Sequence, residues 1–167
     1  LPTRDNFDKS KFIYIASDEP HKNHKNLVLA WILLAKEDIF PNLILTINKE
    51  SNIFNTVMKA KKEFNLKIDI LSNISREDLM REFSKCNALI FPSFFESYGL
   101  PIVEAKIMGI DVLASELDFV RDMTDPIETF DPYSPVSITR AIKRYKKHKD
   151  SKTDIIASTE IIKYLKG

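Results

Sequence analysis

Residues 91–105 read FPSFFESYGLPIVEA. Glu96 and Glu104 flank a short turn, SYGLP, with seven residues between the two acids. A carboxylate pair can trade protons as general acid and base, or it can accept hydrogen bonds from a polyol. The turn favours the second use. Pro101 suits the first turn of a helix, where its missing N–H would be unpaired anyway. The amides of Tyr98, Gly99 and Leu100 then lie at a helix N-terminus, whose partial positive charge and free donors can hold a diphosphate. Gly99 permits positive φ and lets a ligand approach the backbone. Both acids also have a plainer reading. Glu104 in a first helical turn would suit the dipole, and Glu96 alone reads as a solvated loop acid.

A second cluster is PHKNHK, residues 20–25. A lysine at a helix start is a point charge for phosphate. Lys22 and Lys25 are both placed for this, though spacing alone reads Lys25 as solvated. His21 and His24 invite a zinc reading, but zinc needs three or four ligands. Only His148 and Cys86 remain, at no matching spacing, so no metal is expected. Local hydrogen bonding that shapes the loop is the expectation for the two histidines.

These loops need elements to hold them. Apolar runs at 11–17, 42–48, 67–71, 88–93, 111–115 and 127–130 read as strands. Helical spacing appears at 23–37, 51–64, 75–86, 101–109, 119–123, 134–148 and 152–166. Ser51 reads as an N-cap, Ser75 with Asp78 as a capping-box-like start, and Gly109 as a C-terminal cap. Strands that are continuous apolar runs and alternate with helices imply an α/β fold. The expected architecture is a Rossmann-like open parallel sheet of about six strands, with helices on both faces. Ligands in such sheets sit at the carboxyl ends of the strands, where both loops fall.

Composition narrows the function. The chain has 167 residues, a net charge of +1, three glycines and one cysteine. That length fits a single domain, 1–167. Near-neutral charge argues against generic nucleic-acid binding. Three scattered glycines exclude a G-x-G-x-x-G fingerprint and a P-loop. A lone Cys86 excludes an internal disulfide and a cysteine-built metal site. No apolar run approaches the ~20 residues that span a bilayer, and no leader is legible, so a cytoplasmic setting is expected.

The motif resembles the nucleotide-binding half of the retaining GT-B glycosyltransferases known as group 1. Their signature runs P-S-x-x-E-(G or S)-(F or Y)-G-(L or M)-P-x-x-E-A. Pro92, Ser93, Glu96, Ser97, Tyr98, Gly99, Leu100, Pro101, Glu104 and Ala105 match it in register. YIASDEPHKNHKNLVLAW is similar to the family's first strand, loop and helix. ILSNISREDLMREFSKCNALIFPS is similar to its third strand, base-binding turn and fourth strand. FDPYSPVSITRAI is similar to a late family segment, so the likeness runs over about residues 11–144.

The resemblance implies that Glu104 holds the donor ribose and Glu96 the hydroxyls of the transferred sugar. Ser97, Tyr98, Gly99 and Leu100 would offer backbone amides, Lys22 would bind phosphate, and Asn73 and Ile74 would meet the base. Ser17 closes the first strand and joins the donor-binding set. Glu96 and Lys22 carry the catalytic roles in this reading. The sequence departs from the pattern at Ala16 and Ser17, where many members carry Gly-Arg. It also departs at Ser72, where glycine is common, and at Asp111, where proline is common.

The implied activity is transfer of a hexosyl or other sugar from a nucleotide diphosphate sugar to a hydroxyl, with retention, without metal or other cofactor. The chain would be the C-terminal donor half, its N-terminal acceptor domain absent. Bacterial surface polysaccharide or lipopolysaccharide assembly is the implied role, with peripheral membrane association of the full protein. Rival readings are a non-catalytic nucleotide-sugar module, an inverting relative or epimerase, and a receiver-like domain. The last lacks an aspartate after Leu71.

Overall fold

The computed structural model describes residues 11–147. Six strands form one parallel sheet: β1 (Lys11–Tyr14), β2 (Asn42–Leu45), β3 (Ile68–Ile70), β4 (Ala88–Phe91), β5 (Asp111–Ser115) and β6 (Glu128–Phe130). Their spatial order is β3-β2-β1-β4-β5-β6. All five pairings are parallel. Parallel pairing requires crossover connections, which the helices α1 (His24–Lys36), α2 (Asn52–Phe64), α3 (Arg76–Ser84), α4 (Leu100–Met108) and α5 (Asp118–Met123) supply. A last helix, α6, spans 135–147. The helix expected at 152–166 lies outside the described residues.

The fold is the expected Rossmann-like α/β sheet with helices on both faces. Its centre is apolar on every side. All four residues of β4 are buried, as are Phe12, Ile13 and Tyr14 of β1. The apolar stripe of α1 buries Leu27, Val28, Ala30, Trp31 and Leu34. Phe12 meets the rings of Trp31 and Tyr145 edge to face, each at 5.7 Å between centroids. The Trp31 indole N–H donates to the Pro41 carbonyl at 2.9 Å, so its one polar atom is satisfied in the core.

Caps fall where short polar side chains permit them. Ser51 accepts from the Phe54 amide and Ser75 from the Asp78 amide. Gly99 and Gly109 bound α4, both with left-handed backbone, φ +53° and +61°. Some boundaries differ from expectation: β4 stops at Phe91 rather than 93, and α4 starts at Leu100 rather than 101. β1 and β2 stop at Tyr14 and Leu45 rather than running to 17 and 48. Beyond them the Thr46 side chain takes over: its hydroxyl accepts from the Ala16 amide and donates to the Ala16 carbonyl. The chain reverses between β1 and β4 in the strand order, and a crevice opens at the carboxyl ends of these two neighbours.

Candidate functional site

The loops after β1 and β4 are sewn together by backbone and side-chain bonds. The Phe94 amide donates to the His21 carbonyl at 2.9 Å. Asn23 sits buried with φ +61°, between a 3-10 turn (Pro20–Lys22) and α1. Its side-chain amide donates to the Pro92 carbonyl at 2.9 Å and to the Pro132 carbonyl at 2.7 Å. One side chain thus fixes the loops after β1, β4 and β6. Asparagine tolerates the left-handed region better than most residues, which suits it to this junction.

This junction presents Lys22 to Glu96. The ammonium lies 2.6 Å from Glu96 Oε1, with both side chains mostly shielded from water. The Ser93 hydroxyl donates to the same oxygen at 2.9 Å. Behind Ser93 stands the Tyr14 hydroxyl, 2.7 Å from Ser93 Oγ and 2.8 Å from the Lys22 carbonyl. Two hydroxyl protons serve these three contacts. With the Ser93 proton committed to the carboxylate, the Tyr14 proton goes to Ser93 Oγ or to the Lys22 carbonyl. Burial pushes the Tyr14 phenol above its usual range, and the charge of Glu96 adds to this, so it stays protonated. Both bonds to Glu96 land on Oε1, which leaves Oε2 for a ligand.

His21, Lys22 and residues 95–101 line a cleft of about 350 Å³. Glu96, Ser97, Tyr98, Gly99, Leu100 and Lys22 are therefore together, as the motif predicts. Tyr98 and Leu100 are exposed on its rim. Gly99 departs from expectation in one respect. A Cβ there would meet the Met123 thioether at 2.5 Å, so its bare side faces α5. The glycine serves the left-handed turn and the contact with Met123 rather than a ligand on that side.

Glu104 is the fifth residue of α4, and the first turn of that helix holds no acid. The expected first-turn placement is corrected. The dipole effect fades beyond the first turn, so it gives little reason for this carboxylate. Its Oε1 receives the Arg76 guanidinium, and its Oε2 is buried without a partner. Arg76, which sequence reasoning overlooked, opens α3 one residue past the turn of Asn73 and Ile74, with the cap Ser75 between. In that turn Asn73 carries the positive φ, +54°, so Ser72 has no need to be glycine. Asn73 is exposed and Ile74 packs partly against the core.

Other candidates lie apart. Ser17 is exposed and donates to Glu19, whose carboxyl that bond holds below its usual range. Lys25 is exposed and borders a neighbouring cavity of about 420 Å³ with Asp18 and Glu19. The histidines do not shape the loop through side-chain hydrogen bonds as expected. His21 stacks on Phe95 at 4.5 Å, and His24 is buried against the Tyr14 ring with Nε2 unpartnered. Burial lowers His24 to about 4, which keeps it neutral. Among the described residues no three His, Cys, Asp or Glu side chains gather as metal ligands. No helix among them is long and apolar enough to cross a membrane.

The family model for glycosyl transferases group 1 matches residues 3–160. The chain belongs to this family. The serotype-specific mannosyltransferase WbdA of Escherichia coli is 27% identical over 137 residues. That match covers 80% of this chain but 17% of the relative. The O-antigen chain mannosyltransferase B of Escherichia coli is 28% identical over 109 residues, covering 63% of this chain and 28% of that protein. The chain thus spans about a sixth to a quarter of the curated relatives it matches. Among solved structures, the catalytic domain of the Helicobacter pylori cholesterol-alpha-glucosyltransferase superposes with a TM-score of 0.68 at 19% identity. It covers 84% of this chain and 88% of that one. The Anabaena protein Alr3699/HepE, solved with UDP and glucose, gives a TM-score of 0.65 at 18% identity, over 79% and 37% of the two chains. These likenesses establish a GT-B type Rossmann fold for this group 1 chain.

Proposed function

We propose that this chain is the donor-binding domain of a retaining glycosyltransferase, which moves a sugar from a nucleotide diphosphate sugar to a hydroxyl acceptor. The observation that carries the reading is the pair Glu96 and Glu104 on either side of Gly99, each with one carboxylate oxygen engaged by a cation and the other not. In this reading Glu104 Oε2 accepts from the ribose and Glu96 Oε2 from hydroxyls of the transferred sugar. The free amides before α4 take the diphosphate. Lys22 has three N–H donors, and Glu96 uses one. The others meet the leaving phosphate and stabilise its growing charge without a divalent metal.

Glu96 is tied to Lys22 and Ser93, which blunts it as a nucleophile. That supports same-face displacement assisted by the leaving phosphate over double displacement through Glu96. The acceptor would lie on an N-terminal domain outside this chain. The names of the relatives make mannose the first sugar to test and bacterial O-antigen assembly the first setting. A cytoplasmic site, with the full protein at the inner face of the membrane, completes the proposal.

Calorimetry with UDP, GDP and their sugars tests it. The expected result is weak binding by this domain and little transfer. No binding of any of them at millimolar concentration sinks the donor-site reading. Lys22→Ala should weaken diphosphates about ten-fold and nucleosides little. Equal losses would make the lysine structural. One observation favours a second reading, a binding module without transfer: Ser17 is tied to Glu19 and adds no second cation at the diphosphate. Donor hydrolysis by the full protein separates the two, since a module hydrolyses nothing.

A further inference from the structure

The Arg76–Glu104 contact joins two helices, α3 and α4. Arg76 begins α3 after the Asn73–Ile74 turn, and Glu104 lies in α4, 28 residues on. Arg76 has no part in starting α3, because Ser75 and Asp78 cap that helix by themselves. Its side chain is 66% exposed and could be fully hydrated, while that of Glu104 is 16% exposed. With its cation this exposed, the pair adds little stability. Its effect is geometric. The guanidinium engages Oε1 and leaves Oε2 as a buried acceptor with no donor. A buried acceptor without a donor is uncommon and costly, and a hydroxyl that reaches it gains what the free protein lacks.

We infer that Arg76 is a positioning residue for ribose recognition: it holds the Glu104 carboxylate so that Oε2 receives a hydroxyl of the 2′,3′-diol. This rests on the donor-site reading and adds a residue to it. A vicinal diol matches the geometry because one hydroxyl meets Oε2 while the other reaches the second lone pair of Oε1. Without Arg76 the carboxylate turns on its own torsion and that match is lost. Lysine, a point charge without the planar fork, restores the charge and only part of the orientation. Because Arg76 follows the turn of Asn73 and Ile74, the same contact also ties the ribose acceptor to the segment assigned to the base.

The test compares UDP and GDP with their 2′,3′-dideoxy forms by calorimetry, in the wild type and in Arg76→Ala and Arg76→Lys. The wild type should prefer the better ribonucleotide by about ten-fold over its dideoxy form. Arg76→Ala should reduce that preference to less than about three-fold while dideoxy affinity stays near wild type, and Arg76→Lys should fall between. A purely structural role would lower both affinities together and leave the ratio intact. An undiminished ratio in Arg76→Ala overturns the role of Arg76 alone. Absence of ribonucleotide binding by the wild type overturns the donor-site reading, and the inference with it. Thermal melting of the three proteins shows whether a variant has unfolded. If Arg76→Ala has, the Arg76→Lys ratio decides, and a wild-type ratio there overturns the inference.

Discussion

Gly99 shows how one residue type can be required for a reason other than the one its motif suggests. Its φ of +53° and the Met123 thioether at 2.5 Å from a would-be Cβ are separate demands. A side chain in the left-handed region costs roughly 1–2 kcal/mol. Gly99→Ala should therefore lower stability by at least about 1 kcal/mol in urea titration. Gly99→Ala combined with Met123→Ala should recover only the part due to crowding. A single variant as stable as wild type would show that the turn relaxes freely. Glu104 carries a related lesson. The motif singles it out, but only the helix start at Leu100 shows that it lies past the first turn. The residues that spacing missed, Arg76, Asn23 and the Tyr14–Ser93 couple, have partners 28, 69 and 79 residues away. Sequence spacing reports neighbours on one helix or strand. It has no access to which loops meet at a sheet edge.

At the scale of elements, the order of strands and helices was legible because the central strands are largely continuous apolar runs and the helices between them carry apolar stripes. The ends were less so. Ile15, Ala16 and Ile47 are as apolar as the strands they follow. Past the strand ends the Thr46 side chain bonds the Ala16 amide and carbonyl, a contact between loops that apolar pattern does not encode. The start of α1 carries a titratable group that the pattern also concealed. His24 falls within the helical stripe and is buried with it. Its folded value of about 4 lies below the usual histidine value. Between those two values the unfolded chain binds a proton that the folded chain does not. Stability contributed by neutral His24 is full above about pH 6.5 and falls as pH drops toward 4, by at most roughly 3 kcal/mol. Urea midpoints from pH 7.5 to 5 should fall more steeply in wild type than in His24→Phe, and parallel curves would remove His24 as the cause.

For the whole molecule, the sheet divides into two halves, β1–β2–β3 and β4–β5–β6, which adjoin only where β1 pairs with β4. That pairing has two registered residue pairs, Phe12 with Ala88 and Ile13 with Leu89. The β1–β2 pairing has four. The Lys22–Glu96 pair, the Ser93–Tyr14 contact and the Asn23 bond to Pro92 all cross this same join. The cleft is therefore a property of neither half. In the proposed reading, a nucleotide bound there would bridge the sheet at its shortest registered pairing, and would act as a mechanical fastener as well as part of a substrate. Hydrogen exchange should show it: saturating nucleotide should slow the amides of β1 and β4 more than those of β3 or β6. Equal protection across all strands would mean that the halves never part separately, and that ligand and fold are fastened by different contacts.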